Sequence, residues 1–222
     1  MIKNKLLIDD ADKVFFVGDI HGEITALNEK LDEIGFDKEN DHLISIGDLI
    51  DRGENSLACL ELIDEPWFTA VRGNHEQMMI NAIYNPDDNE KGMHWFQNGG
   101  SWFYHMDKDS MNVTAYYVKS RVIELPHVIE LIHKDKVIVI CHADWPFNEY
   151  NSDMTAPIDH LIWSRERIEN RSEQGEIKGA DMFVFGHTPL RKPTKRYNQI
   201  YLDTGAVFGK EMHILSFEDL FK

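Results

Sequence analysis

The chain has 222 residues, of which 42% are hydrophobic, and its 39 Asp and Glu against 23 Lys and Arg leave a formal charge of −16. The length and apolar content suit one compact domain over residues 1–222 and argue against global disorder. The acidity argues against a nucleic-acid partner, and no apolar run reaches the ~18 residues of a membrane span.

Residues 1–5 lead into a short apolar run and the acids Asp9, Asp10 and Asp12, which is not the pattern of a signal peptide. Val14–Val17 is a run of consecutive apolar residues before Gly18 and predicts a buried strand. Ile24, Leu27, Leu31 and Ile34 recur at helical spacing and predict an amphipathic helix that stops at Gly35. A second strand is expected over 43–46. Leu57, Leu60, Leu62 and Ile63 mark a second helix, which ends before Pro66. A third strand over 67–71 precedes a third helix over 75–84, stopped by Pro86. Asp19 and Asp48 are 29 residues apart, and Asp48 and Asn74 are 26 apart. These are the lengths of successive βαβ units, which build a parallel sheet whose ligands bind outside the carboxyl ends of the strands.

Residues 86–92 read as a polar loop and 93–125 as a helical cap broken at Gly99 and Gly100, packed by Trp95, Phe96, Trp102 and Phe103. Past Pro126 the chain turns β-rich. Strands are expected at 127–132 and 137–140 around a turn at 134–136, then at 182–185, 200–202 and 212–215. Cys59 and Cys141 each fall in an apolar element, as buried reduced thiols of a cytoplasmic protein do. No linker or repeat interrupts the chain. The expectation is therefore one domain of two packed sheets with outer helices.

The predicted strand ends carry the chemistry. Asp19 and His21 alternate after the first strand, so extended backbone would point both the same way. Asp48 follows the second strand, Asn74 the third, and His142 and His187 follow later ones. A lone strand-end Asp is usually a helix cap, and a lone His usually a structural hydrogen-bonding group; the full set at successive strand ends is not explained that way. It is too rich in oxygen donors for a structural zinc site. Mixed carboxylate, amide and imidazole donors suit a pair of Mn, Fe or Zn ions, with Asp48 as the natural bridge.

Arg52 and Arg72 adjoin the motif glycines and could grip a phosphate bidentately, although acids abound for surface pairing. Arg165 and Arg167 lie together in a later stretch, and composition does not choose between them. His75 would begin the third helix beside the metal donors, placed to protonate a leaving oxygen, with Asp51 as the carboxylate behind it; the alternative is that His75 is itself a ligand. Trp145 and Phe147 either shape a substrate groove or pack the core. Neither cysteine has an arginine placed to form a cysteinyl-phosphate loop, and no P-loop pattern occurs. Water activated by Lewis-acid metals is the remaining nucleophile.

The runs Gly-Asp-Ile-His-Gly at 18–22, Gly-Asp-Leu-Ile-Asp-Arg-Gly at 47–53 and Arg-Gly-Asn-His-Glu at 72–76 resemble the signatures of the phosphoprotein phosphatases, within the calcineurin-like metallophosphoesterase superfamily. Residues 70–80, 138–147, 162–168, 177–189 and 201–208 are similar to the lambda-phage branch of these serine/threonine phosphatases. The resemblance implies a four-layer αββα sandwich, an α/β fold with mixed sheets. It implies two divalent ions, most often Mn2+, one on Asp19, His21 and Asp48 and the other on Asp48, Asn74, His142 and His187. His75 would be the general acid with Asp51 behind it, and Arg52, Arg72 and Arg165 would hold phosphate. The implied reaction is in-line attack of a metal-bridging water on phosphoserine or phosphothreonine in protein substrates, reaching phosphotyrosine and aryl phosphates. A dinucleoside polyphosphate hydrolase of the same superfamily is the competing reading. A non-catalytic scaffold would be expected to have lost ligands that this chain keeps.

Overall fold

The computed structural model describes residues 1–8, 13–170 and 175–222, so Asp9, Asp10 and Asp12 lie outside the described residues. Its strands are β1 (Lys3–Leu7), β2 (Val14–Val17), β3 (His42–Ser45), β4 (Phe68–Ala70), β5 (Val128–His133), β6 (Lys136–Cys141), β7 (Met182–Phe185), β8 (Thr194–Arg196), β9 (Gln199–Tyr201) and β10 (Ile214–Ser216). They form a sheet in the order β10-β2-β3-β4 and a larger one in the order β1-β5-β6-β7-β9-β8.

The expected βαβ units are present. β2, β3 and β4 pair in parallel, linked by the helices Ile24–Ile34 and Ser56–Glu61, and the helix Asn74–Tyr84 follows β4. Gly35 ends the first helix in the left-handed region, where its N–H bonds back to the carbonyls of Leu31 and Asp32. β5 and β6 form the expected antiparallel hairpin, with both turn residues, Lys134 and Asp135, at positive φ.

Side-chain alternation along the strands builds the layers. Phe16, Ile44 and Ile46 meet Ile129, Ile138, Ile140 and Val184 between the sheets. The alternate residues Phe15, Val17 and Leu43 pack outward under the helices that carry Leu27, Cys59 and Met79. On the far side, Val139, Cys141, Phe183 and Phe185 pack against Leu161 and Ile162 of the helix Ile158–Trp163. The result is the expected four-layer αββα sandwich. Each fully buried side chain of this size contributes about 1.5–3 kcal/mol through removal from water.

Residues 89–120 are the helical cap: helices Asn89–Trp95, Ser101–Tyr104 and Lys108–Ser120, with a kink at Gly99 where φ is 118°. β1, β8 and the helix Ile158–Trp163 were not expected from the sequence. β1 carries two lysines and is half exposed at a sheet edge, so it shows no clean apolar alternation.

Candidate metal centre

The segments after β2, β3, β4, β6 and β7 converge on one rim, at their carboxyl ends. Asp48 is the hub. Its Oδ2 lies 3.3 Å from His142 Nε2, 3.6 Å from His21 Nε2 and 3.9 Å from His75 Nε2. Two sets of donor atoms gather within 4.8 Å of one another, His21 with Asp48 and His75, and Asp48 with His142 and His187. Asp48 belongs to both. Asn74 Oδ1 is 2.9 Å from His142 Nε2. Asp19 borders the cluster through a hydrogen bond that its Oδ1 accepts from the His187 N–H, 3.0 Å. The first set thus contains His75 rather than Asp19.

Second partners orient the ring nitrogens that face the cluster. His142 Nδ1 lies 2.7 Å from the Ile46 carbonyl and His21 Nδ1 2.8 Å from the Ile50 carbonyl, which leaves Nε2 of each ring toward the cluster. Burial, reinforced by neighbouring cations, pushes His21 and His187 down to about 3, the neutral state that metal ligation requires. Burial also opposes a charge on His142, but the carboxylates of Asp48 and Asp19 outweigh it and raise this ring to about 10. Burial together with Asp203 and Asp48 holds the Asp19 carboxyl well above the usual range. At Asp48 the imidazoles overcome burial and hold it well below that range.

The backbone is bent to bring these groups together. His21, Asp48, Asp51, Arg52 and His187 all have φ between 48° and 74°, conformations that cost non-glycine residues on the order of 1–3 kcal/mol each. Glu76 braces the bend. Its Oε2 accepts the N–H groups of Asp48 (3.0 Å) and Gly73 (2.8 Å), and its Oε1 accepts that of Leu49 (2.8 Å). Burial and Asp48 push this carboxyl up to about 7. Position 73 must be glycine, because a Cβ there would fall on Asp48 Oδ1.

The model of the Calcineurin-like phosphoesterase family matches residues 12–191. The chain belongs to this family. It is 42% identical over 200 residues to serine/threonine-protein phosphatase 1 of Salmonella typhimurium, covering 90% of this chain and 89% of that one. It is 39% identical over 195 residues to serine/threonine-protein phosphatase 2 of Escherichia coli, covering 87% of each. Among solved structures, that of a proposed diadenosine tetraphosphatase superposes with a TM-score of 0.70 at 21% identity over 96% of this chain and 93% of that one, a likeness of fold.

Within this calcineurin-like phosphoesterase, the donors fit divalent metal. Among the described residues His187 Nε2 is buried without a hydrogen-bond partner while its ring faces Asp48 and His142, and an orphaned imidazole nitrogen beside a carboxylate is the donor chemistry such an ion takes. The arginines divide. Arg52 Nη1 donates to His21 Nε2 at 2.7 Å, and Arg165 Nη2 reaches the His187 carbonyl at 3.5 Å. The Arg72 guanidinium donates to Gln77 Oε1 at 3.0 Å and to the Ile123 carbonyl. Arg167 is spent on structure, donating to the carbonyls of Trp145 (2.9 Å) and Phe147 (2.6 Å) and to Asn148. Of the adjacent pair, Arg165 is the one beside the cluster. Trp145 is fully buried in the core, whereas Phe147 is exposed.

His75 Nδ1 lies 2.6 Å from Asp51 Oδ2, so the expected pairing of these residues is present. Asp51 also accepts from two indoles, Trp95 Nε1 at 2.9 Å and Trp102 Nε1 at 2.6 Å. Sequence reasoning assigned both tryptophans to packing alone. The sequence alone also left Glu76 without a direct catalytic role. The signal for Glu76 was available: an acid three residues after the helix-capping position is placed to reach back to free N–H groups.

Proposed function

We propose that the chain hydrolyses phosphomonoesters of phosphoserine and phosphothreonine proteins. The observation that carries this reading is Asp48, common to two donor sets, with His75 beside it and held from behind by Asp51. The two relatives named as serine/threonine-protein phosphatases support the substrate class. Residues 1–222 form one domain in this reading, and the buried free thiols of Cys59 and Cys141 accord with the cytoplasm.

One divalent ion would be held by Asp19, His21 and Asp48, and the other by Asp48, Asn74, His142 and His187, with Mn2+ the expected identity. When bound, such ions polarise phosphoryl oxygens and bring the pKa of water toward neutrality. The protein's own groups supply the rest. Arg52 and Arg165 neutralise the non-bridging oxygens of the phosphate; Arg72 joins them on turning from Gln77. Asp51 fixes the tautomer and aim of the His75 ring, and His75 Nε2 gives its proton to the departing serine or threonine oxygen. The local cations also offset the net negative field of the chain, which would otherwise repel an anionic substrate.

The test is reconstitution of metal-free protein with Mn2+, Fe2+ or Zn2+, each assayed on a panel of phosphoserine, phosphothreonine and phosphotyrosine peptides and on diadenosine tetraphosphate. The expected result is highest kcat/KM on phosphoserine and phosphothreonine peptides, with Mn2+ the best activator. A strong preference for the dinucleotide overturns the assignment in favour of a dinucleoside polyphosphate hydrolase, and no turnover with any metal overturns it altogether.

A further inference from the structure

The grip on Asp51 comes from the helical cap, a segment outside the strand-end runs in sequence. The helices Asn89–Trp95 and Ser101–Tyr104 meet at the Gly99 kink, and each sends an indole N–H to the same carboxylate. Trp95 Nε1 lies 3.1 Å from Oδ1 and 2.9 Å from Oδ2, and Trp102 Nε1 lies 2.6 Å from Oδ1. His75 Nδ1 takes the remaining direction on Oδ2 at 2.6 Å. Asp51 is fully buried, so these groups, not water, solvate its side chain.

The neighbouring geometry serves the same contact. The two indoles stand at 89° with ring centroids 6.0 Å apart, so both edges reach one carboxylate without clashing. Gly100 makes the room, since a Cβ there would lie 2.5 Å from Trp95 Cε2 and Nε1. The Gly99 carbonyl accepts the Arg52 N–H at 3.4 Å, so the cap also holds the backbone next to Asp51, where both residues have positive φ. Packing alone would be met by phenylalanine. An indole adds a buried N–H that must find an acceptor, and here two of them share one. Indole N–H groups donate and never accept, so both bind Asp51 only as an acceptor and fix the direction its Oδ2 presents to His75.

We propose that Trp95 and Trp102 are positioning residues for proton delivery. They hold Asp51 turned to His75, so that the cap fixes the aim of the acid. This inference rests on the assignment of His75 as the general acid.

Substrates that differ in leaving group isolate this step. A serine alkoxide needs a proton to depart, whereas 4-nitrophenolate leaves without one. W102F and W95F should each lower kcat about tenfold or more on a phosphoserine peptide, within the range general acids provide, while changing kcat on 4-nitrophenyl phosphate far less and leaving KM unaltered. Equal losses on both substrates, or no loss on either, overturn the proposal. Trp95 is fully buried and its variant is the more exposed to misfolding. A spectroscopic measurement therefore accompanies the kinetics: in the full chain, metal-free and zinc-loaded, D51N should shift two of the five indole N–H resonances. An unchanged indole spectrum overturns the clamp. H75N separates the two levels of inference. If H75N keeps full turnover of phosphoserine, the acid assignment falls and the proposal with it. If H75N loses that turnover and both tryptophan variants keep it, the clamp alone falls.

Discussion

Glu76 accepts backbone N–H groups from Asp48, Leu49 and Gly73, and so ties the end of β3 to the start of the helix Asn74–Tyr84. Those amides are buried, and each one left without a partner costs on the order of 1–3 kcal/mol. E76A should therefore be the most damaging single change at the rim that removes no proposed ligand. We expect it to lose more than about 3 kcal/mol of stability, with E76Q intermediate because an amide offers one acceptor oxygen in place of two. Urea unfolding measures both. Stability of E76A within about 0.5 kcal/mol of the parent chain, the level of an ordinary surface change, would sink the idea of a brace.

At the scale of an element, β1 shows how an edge strand with little apolar character is held. It pairs in parallel with β5, and Lys5 reaches Glu130 across the pair at 3.3 Å. Histidines fasten both ends. His133 Nδ1 lies 2.6 Å from the Ile8 carbonyl, and His127 Nδ1 accepts the Ile2 N–H at 3.1 Å. The second bond requires a neutral ring. Burial, Arg72 and the chain's N-terminal amine push His127 down to about 4 from its ordinary 6.5. Between those values the unfolded chain binds the proton and the folded chain does not. The stabilising contribution is therefore complete above pH 6.5 and is lost as pH falls through about 4. Thermal unfolding followed from pH 7 to pH 4 should show a declining limb that H127Q flattens. The same slope in both proteins would refute this source of acid lability.

On the scale of the whole molecule, the fold concentrates negative charge where cation binding would relieve it. Asp19, Asp48 and Asp203 are buried near one another, and burial and mutual repulsion hold Asp19 well above the usual carboxylate range and raise Asp203 to about 6. Ions bound only by the folded chain stabilise it by mass action, by about 2.7 kcal/mol at a hundredfold excess over Kd. For a chain of this length, chelation of the loaded protein should lower Tm by about 5–10 °C, reversed on adding metal back. Calorimetry before and after chelation measures this, and an unchanged Tm would remove the metal centre from the account.

The sequence by itself determined the recurring strand–loop–helix units and the candidate donor residues at their ends, because apolar periodicity and residue type are local properties. Asp19, His21, Asp48, Asn74, His142 and His187 could be named from their places after apolar runs, and Asp51 from its offset to Asp48. Tertiary structure alone decided the rest, since each remaining feature joins residues with no periodic relation. It turned Trp95 and Trp102 from packing groups into donors to Asp51, because the direction of an indole N–H depends on where two helices meet. It sent the Arg72 guanidinium to Gln77 and Ile123 and spent Arg167 on carbonyls of the 145–148 loop, because a guanidinium's partner is set by whichever acceptor the fold brings near. It placed β1 and β8 at the edges of the larger sheet, where one face meets solvent and the apolar alternation that marks an inner strand is not required.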